Sequence, residues 1–258
     1  MITAGIDIGN ILSKVVIMDG DELVASGITD TTGTVAMEIA GFFDSVVKDA
    51  GLTRDRIETV VGTGAGADML EGVDFVEDDV TCIGASAGYL LPDVNLVVDM
   101  GGQSITAILL NAGGDIVNFM RNDKCASGSG RFLEVISGAL GVDVTAIDET
   151  VANAKSSVPI SSQCGVFGES EVITHVNAGE DPADIVAGVC ESVANIVVAQ
   201  AGKFDSGENY TLTGGVARID SVGRVIKEKL SGKYYAYPFD PRLTAAVGAA
   251  LLAGGEEE

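Results

Sequence analysis

Apolar positions alternate along the chain between short β-rich runs and longer stretches with helical spacing. The helical spacing predicts helices over residues 35–50, 81–91, 130–140, 166–177, 183–201, 216–230 and 243–253. β-rich runs at residues 57–62 and 210–213 lie between them. Strands that alternate with helices in this way predict an α/β fold.

One segment of the pattern occurs twice. Residues 5–24 match residues 97–117, with Asp7 aligned on Asp99. Each copy predicts an apolar strand ending in Asp-x-Gly, a short turn, a second strand, a glycine turn and a third strand. Two copies of one meander predict two similarly folded lobes, which we place at residues 1–93 plus 238–258 and at residues 94–237.

The amino-acid composition and charge limit which binding partners and which cellular location we expect. The 258 residues include 38 acidic and 15 basic side chains, a net charge of −23. Nucleic acid is therefore an unsuitable partner, because its binding relies on Lys and Arg at phosphates. The N-terminus lacks a basic region before an apolar core, so we expect no signal peptide and a cytoplasmic protein. The apolar stretch 185–202 contains polar side chains, which indicates a buried core helix and no membrane span.

The two Asp-x-Gly turns are candidates for phosphate and metal binding. Glycine lets backbone N–H groups approach phosphate oxygens, and a carboxylate at a strand end can hold a divalent cation. A third element, strand–Gly214–Gly215–helix, offers a helix N-terminus, and Lys14 supplies a positive charge. A single turn of this kind is often only structural, whereas two equivalent copies favour a nucleotide site.

Two other nucleotide-binding motifs, the P-loop and the dinucleotide fingerprint, fit the sequence less well. No Gly-x4-Gly-Lys-Ser/Thr loop occurs, which excludes a P-loop protein. The segment 62–67, Gly-Thr-Gly-Ala-Gly-Ala, resembles a dinucleotide fingerprint, with Asp78 or Asp79 near the expected acidic position. Gly72 interrupts the helix that should follow, so this is the weaker alternative.

Two of the four cysteines lie in unusual surroundings. Cys125 and Cys164 each stand just before a predicted helix, among small residues. A helix N-terminus lowers the pKa of a thiol and favours a thiolate or a thiolate-bound cluster. Spacing alone favours two buried structural thiols, because free cysteine is often a core residue. Cys82 and Cys190 lie in apolar helical runs, where we expect packing roles, and His175 is expected on a helix surface.

Three strings resemble one family closely. They are Asn122-Asp-Lys-Cys-Ala-Ser-Gly-Ser-Gly-Arg-Phe-Leu-Glu134, Cys164-Gly-Val-Phe-Gly-Glu-Ser-Glu-Val-Ile173 and Thr213-Gly-Gly-Val-Ala217. The chain resembles the activator ATPases of 2-hydroxyacyl-CoA dehydratases, a family that includes the ATP-binding subunits of benzoyl-CoA reductase. The resemblance covers nearly the whole chain. It implies the duplicated actin, hexokinase and Hsp70 type of ATPase fold (ribonuclease H-like), with two lobes around a nucleotide cleft.

The resemblance implies a shared metal cluster in the second lobe. In the family, each subunit of a homodimer gives two cysteines to one 4Fe-4S cluster, and here these are Cys125 and Cys164. Four thiolates suit a cluster of this kind. Dimerisation and cofactor binding would then be one event.

The resemblance also implies an ATP/ADP site with Mg²⁺. Asp7 and Asp99 lie near the metal, and Gln103 and Glu169 are candidates to act on the attacking water. The residues implied to contact the nucleotide are Asn10, Ile11, Leu12, Ser13, Lys14, Gly101, Gly102, Gln103, Gly214, Gly215, Val216, Ala217 and Arg242. The chain departs from the family's pattern at Asn10, Ala65, Ala67 and Ile83, which bears on the ATPase rate and the partner surface.

The implied reaction couples ATP hydrolysis to electron transfer. A ferredoxin or flavodoxin reduces the cluster, and one low-potential electron passes to the iron-sulfur component of a dehydratase or reductase. Three alternatives stay open. The chain could be the nucleotide subunit of a benzoyl-CoA reductase, a kinase of the same fold, or a non-catalytic nucleotide switch whose cysteines hold zinc.

Overall fold

The computed structural model describes residues 1–33, 35–122, 128–160, 165–204 and 209–255. The chain forms two compact units. Unit 1 comprises residues 1–94, 110–117 and 237–258, and unit 2 comprises residues 95–109 and 118–236.

A five-stranded sheet lies at the centre of unit 1. Its strands, in the spatial order β3-β2-β1-β4-β5, are β1 (Ile2–Ile8), β2 (Leu12–Asp19), β3 (Glu22–Asp30), β4 (Thr59–Thr63) and β5 (Phe75–Val76). β1, β2 and β3 pair antiparallel, as a meander requires, whereas β4 pairs parallel to β1 and β5 parallel to β4.

The second sheet repeats this arrangement. Its strands are β6 (Leu96–Met100), β7 (Ile105–Leu110), β8 (Ile116–Asn122), β9 (Asn209–Thr213) and β10 (Lys233–Tyr234). Their order is β10-β9-β6-β7-β8, with β7 antiparallel and β9 parallel to β6. Counted from the opposite edge, this order matches that of the first sheet. The predicted duplication is therefore confirmed, and it extends to the fourth and fifth strands of each sheet.

Helices occupy most of the remaining described chain. They are α1 (Val35–Asp49), α2 (Asp79–Leu90), α3 (Gly130–Ala139), α4 (Ile147–Val151), α5 (Gly165–Asn177), α6 (Pro182–Ala201), α7 (Asp220–Lys229) and α8 (Thr244–Ala253). Six of the seven predicted helices begin and end within two residues of these bounds. The short helix α4 was not predicted.

The predicted single helix over residues 216–230 is wrong in its first part. Gly215–Arg218 is a 3-10 turn, the backbone of Ile219 is extended, and α7 begins only at Asp220. The carboxylate of Asp148 accepts hydrogen bonds from the backbone N–H groups of Asp220 (3.0 Å) and Ser221 (2.8 Å). Because the first N–H groups of a helix lack partners within it, this distant side chain fixes a new helix start.

Helix α8 packs at backbone distance against two other elements of unit 1. A Cβ added at Gly248 would overlap the carbonyl group of Cys82 in α2. A Cβ added at Gly5 in β1 would overlap the carbonyl group of Ala246 in α8. The small residues of α8 therefore allow it to lie directly on both β1 and α2, where its buried side chains join the core.

Helix α6 forms much of the core of unit 2. Among the described residues it is the helix that is long and apolar enough to cross a membrane, yet 61% of that apolar window is buried inside the protein. Its buried residues, including Val193 and Val197, pack in one cluster with β6 and α3. The prediction of a core helix in this stretch is confirmed.

Asp184, in the first turn of α6, holds the segment 155–158. Its carboxylate accepts hydrogen bonds from the backbone N–H groups of Lys155 (2.6 Å) and Ser156 (2.9 Å) and from the Ser156 hydroxyl (2.8 Å). Its backbone carbonyl accepts the N–H of Val158 (3.0 Å). Hydrogen bonds from the backbone and then the side chain of Ser156 lower the pKa of Asp184 below its ordinary value of 3.8.

We expect Asp184→Asn to destabilise the protein at neutral pH and to have little effect in acid. Because the folded-state pKa is lowered, the ionised carboxylate stabilises the folded chain above the unfolded-state pKa of about 3.9. That contribution is lost as the pH falls through the folded-state pKa. Urea midpoints of wild type and variant should therefore differ most near pH 7 and converge as the pH falls through the lowered folded-state pKa.

A control is available on the same helix. Asp181 caps α6 by accepting the N–H of Ala183 at 2.9 Å. Because Asn is also a good N-cap residue, Asp181→Asn should change the midpoint little. A midpoint difference for Asp184→Asn that does not depend on pH would contradict the role given to the carboxylate charge.

Candidate functional site

The first Asp-x-Gly turn places a buried ion pair at the end of β1. Asp7 and Lys14 face each other in the β1–β2 register, and Lys14 Nζ lies 2.8 Å from Asp7 Oδ2. Their side chains are only 8% and 13% exposed. The structure thus brings two predicted site residues together and places a cation and a carboxylate where the turn begins.

Hydrogen bonds define the turn that follows. The N–H of Gly9 donates to the carbonyl of Leu12 at 3.1 Å, and the Thr31 hydroxyl donates to the carbonyl of Gly9 at 2.8 Å. The Ser13 and Thr31 hydroxyl oxygens are 2.9 Å apart. Asn10 is exposed and Ile11 half-buried. The short turn before β2 and the start of β2 are therefore closed against Thr31, which directly follows β3.

Thr63, the last residue of β4, and Gly64, which follows it, pack against this turn. The sequence did not predict this contact. Gly64 has a left-handed backbone, φ +92°, and a Cβ there would overlap Asp7 Oδ1 and lie 2.6 Å from the carbonyl oxygen of Ile8. The N–H of Gly66 donates to that carbonyl at 3.0 Å. Only glycine allows this approach without strain.

The same finding corrects the dinucleotide alternative. After segment 62–67 the chain forms a short 3-10 turn, Ala67–Met69, and proceeds to β5 without a crossover helix. A dinucleotide fingerprint requires a helix there. In this structure the glycines of the segment serve instead to seat the end of β4 on the Asp7 turn.

Unit 2 has an equivalent arrangement at the second Asp-x-Gly turn. Asp99 pairs with Thr213 across β6 and β9, as Asp7 pairs with Thr63 across β1 and β4. Gly214 has φ +86°, and a Cβ there would lie 2.8 Å from Asp99 Oδ1 and overlap the carbonyl of Met100. Each unit therefore seats a Thr-Gly pair on an aspartate and on the peptide that follows it.

The other predicted nucleotide residues of unit 2 surround this contact. The N–H of Gly101 donates to the carbonyl of Ser104 at 2.9 Å, which closes the turn through Gly102 and the exposed Gln103. The 3-10 turn Gly215–Arg218 follows Gly214 and contains Val216, which is buried, and Ala217, which is half-buried. The structure thus gathers the predicted residues of unit 2 at one end of β6 and β9.

The predicted cluster ligands, Cys125 and Cys164, lie outside the described residues. Cys164 directly precedes α5, and α3 begins five residues after Cys125. Cys82 and Cys190 are buried, as predicted, and burial raises the pKa of each thiol to about 12. They are therefore poor thiolate donors. No group of three or more metal-binding side chains occurs in the part of the chain that the structure describes.

Two further predicted site residues, Arg242 and Glu169, lie in different units. Arg242 lies in unit 1, where its guanidinium makes two hydrogen bonds to Asp240, at 3.0 and 2.7 Å. Those hydrogen bonds raise its pKa above the ordinary value. Glu169 is the fifth residue of α5, beyond its first turn. His175, which was expected on a helix surface, lies half-buried in the last turn of the same helix.

The departures from the family pattern have clear structural positions. Ala67 is 4% exposed and Ile83 is 3% exposed, so both are packing residues of unit 1. Ala65 and Asn10 are exposed. Two of the four differences therefore affect the core, and two affect the surface near the Asp7 turn.

Comparison with known proteins agrees with the geometry. A family model described as the BadF/BadG/BcrA/BcrD ATPase family matches residues 4–253. The 2-hydroxyisocaproyl-CoA dehydratase activator of Clostridioides difficile is 35% identical over 257 residues, covering 99% of this chain and 96% of the relative. The (R)-2-hydroxyglutaryl-CoA dehydratase activating ATPase of Acidaminococcus fermentans is 36% identical, covering 97% and 96%.

A solved structure supports the same conclusion. The Clostridium difficile activator of the 2-hydroxyisocaproyl-CoA dehydratase, solved with bound ADPNP, superposes with a TM-score of 0.91 at 36% identity, covering 98% of this chain and 94% of that chain. The predicted fold class, a duplicated actin- and hexokinase-like α/β ATPase fold, is confirmed. With its two matched Asp turns and its full-length similarity, the chain belongs to the BadF/BadG/BcrA/BcrD ATPase family.

Proposed function

We propose that this chain is an ATP-dependent activator that hydrolyses ATP and passes one low-potential electron from a 4Fe-4S cluster to a 2-hydroxyacyl-CoA dehydratase. The observation that carries the proposal is its similarity, over nearly its full length, to two proteins named as activators of such dehydratases. The kinase alternative lacks support of this kind, because a glucokinase and a hexokinase with a similar fold are only 15% and 16% identical to the chain.

The two Asp turns support an ATP site with Mg²⁺. In unit 2, Gly101 and Gly102 would bind phosphate oxygens through backbone N–H groups, and Gly214–Ala217 would bind the nucleoside. In unit 1, Lys14 and the loop from Asn10 to Ser13 would contribute charge and further contacts. The buried carboxylate of Asp7 and the seated carboxylate of Asp99 are oxygen donors suited to Mg²⁺ or its waters.

Hydrolysis then depends on positioning and charge neutralisation. Lys14 offsets charge on the phosphates, while Gln103 and Glu169 are the candidates to orient the attacking water. Glu169 directly follows Gly168, which contacts the start of α3. Arg242 would have to exchange its bonds to Asp240 for a bond to the nucleotide, so its role in binding requires a rearrangement.

Contacts between described residues support a shared cluster at Cys125 and Cys164. Phe132, in the first turn of α3, lies against Gly168, in the first turns of α5. The two helices that follow these cysteines in the sequence therefore lie against each other near their N-terminal ends. Two thiolates from each subunit of a homodimer complete the four that such a cluster requires. When bound, the cluster would supply the low-potential electron.

The remaining partners follow from the same proposal. The two lobes of this proposal are residues 1–93 plus 238–258 and residues 94–237, and the second would carry the cluster ligands. A ferredoxin or flavodoxin in the cytoplasm would reduce the cluster, and the iron-sulfur component of the dehydratase would accept the electron. Co-purification with unlike subunits as a permanent complex would instead indicate the benzoyl-CoA reductase alternative.

Anaerobic purification tests the cluster. We expect brown protein with about four irons per dimer, the content of one shared 4Fe-4S cluster. Cys125→Ser and Cys164→Ser should each abolish the colour and the iron while leaving nucleotide binding within a few-fold of wild type. The matched controls Cys82→Ala and Cys190→Ala should keep the colour and the iron. Iron that survives both serine substitutions, or zinc in its place, would refute the ligand assignment.

A second variant tests the metal role of Asp99. We expect Asp99→Asn to lower the ATPase kcat by about 100-fold, because a carboxylate that orients Mg²⁺ acts on the transition state more than on binding. The affinity for an ATP analogue should change less than the rate does. The exposed Asp93 provides a control, and Asp93→Asn should leave kcat unchanged. An Asp99→Asn enzyme with normal kcat would remove Asp99 from the site.

A further inference from the structure

The turn at Gly101–Gly102 serves as the cap of helix α3. The N–H of Gly130 donates to the carbonyl of Gly101 at 3.0 Å, and the N–H of Arg131 donates to the carbonyl of Gly102 at 2.9 Å. These N–H groups belong to the first two residues of α3, which have no acceptor within the helix. A movement of the two carbonyls would therefore displace the start of α3.

Helix α3 in turn packs against α5 through one close contact. Phe132 is 2% exposed, and a Cβ added at Gly168 would lie 3.1 Å from Phe132 Cε2 and 3.3 Å from Cζ. Ile136, one turn further along α3, lies 3.8 Å from the same position. Gly168 is itself buried. The ring of Phe132 thus fills the space between the two helices at their N-terminal ends.

The rest of α5 has few comparable attachments among its described side chains. Phe167 is 69% exposed, and Ile173 and Val176 are 46% and 45% exposed. Among the described side chains of α5, Val172 joins the core cluster of unit 2. Close-packed side chains move together, whereas exposed ones transmit little displacement. The N-terminal end of α5 is therefore held against Phe132, and Val172 holds the helix further along to the core of unit 2.

We propose that Phe132 is a positioning residue that makes α5 follow the nucleotide turn. The path runs from the carbonyls of Gly101 and Gly102 to the first turn of α3, through Phe132 to Gly168, and so to the helix that begins directly after Cys164. The inference rests on the proposed function, since it places the phosphates at Gly101–Gly102. It adds a specific mechanical connection, inside unit 2, between nucleotide occupancy and the end of α5 next to a proposed cluster ligand.

Hydrogen–deuterium exchange of the anaerobically purified full-length protein tests this connection. Exchange is measured with and without Mg²⁺ and a non-hydrolysable ATP analogue, in peptides covering residues 101–104, α3 and α5. In wild type we expect the analogue to change exchange in all three regions. In Phe132→Ala we expect the changes at residues 101–104 and the start of α3 to remain, and the change at α5 to fall by at least half.

Further variants separate positioning from general loss of packing. Phe132→Leu keeps an apolar side chain and should restore part of the α5 response. Phe43→Ala removes an equally buried ring from the core of unit 1 and should leave the α5 response intact. If Phe132→Ala does not fold, Phe132→Leu decides, and an undiminished α5 response in it overturns the proposal.

The outcomes distinguish this inference from the proposed function. Analogue binding that alters exchange at residues 101–104 but never at α5 in wild type overturns the inference and leaves the ATPase proposal standing. Absence of analogue binding in wild type overturns the proposed function itself. As a second readout, the analogue-induced shift in reduction potential should shrink in Phe132→Leu at unchanged iron content, and a full-size shift would contradict the proposal.

Discussion

The close seating of a Thr-Gly pair on an Asp-x-Gly turn is the contact on which the rest of this structure depends. In each unit a glycine in the left-handed region lies against an aspartate and the next peptide, at Gly64 on Asp7 and at Gly214 on Asp99. A Cβ cannot be accommodated at either place. The contact fixes the direction of each carboxylate and brings the ends of two parallel strands together. It thereby leaves the turn glycines in a defined conformation, which a phosphate site requires.

The two units differ in what faces the aspartate, and the difference suggests separate tasks. Lys14 is opposite Asp7, whereas the fully buried Thr106 is opposite Asp99 and receives a hydrogen bond from Arg121 Nε at 3.0 Å. Unit 1 therefore carries a fixed cation beside its carboxylate. Unit 2 instead uses the carbonyls of its turn to cap α3. Among the described residues, unit 1 has helix α1 between its third and fourth strands, whereas unit 2 has α3, α4, α5 and α6 between β8 and β9. Both proposed cluster ligands lie in that part of the chain.

Much of this architecture could be predicted from the sequence because the information was local. The duplication was visible in Asp7 and Asp99, and helical spacing located six helices closely. What could not be predicted depends on residues far apart in the chain. The carboxylate of Asp148 accepts the N–H of Asp220, 72 residues away, so that α7 begins later than its local sequence predicts. The carboxylate of Asp184 accepts a hydrogen bond from the hydroxyl of Ser156, 28 residues away. The Thr63–Gly64 pair is visible in the sequence as a counterpart of Thr213–Gly214, but the glycines around it also resemble a dinucleotide motif.

The central claim is that each seated turn contributes to nucleotide binding, and calorimetric titration of glycine variants with Mg²⁺ and an ATP analogue tests it most directly. Gly64→Ala and Gly214→Ala should each weaken binding by about tenfold or more, because the added Cβ displaces the aspartate and the adjoining peptide. Gly20→Ala is the matched control, since Gly20 also has a positive φ, +56°, but an added Cβ there meets no atom within 4 Å. It should bind the analogue as wild type does. Folded Gly64→Ala and Gly214→Ala proteins with wild-type affinity would contradict the account.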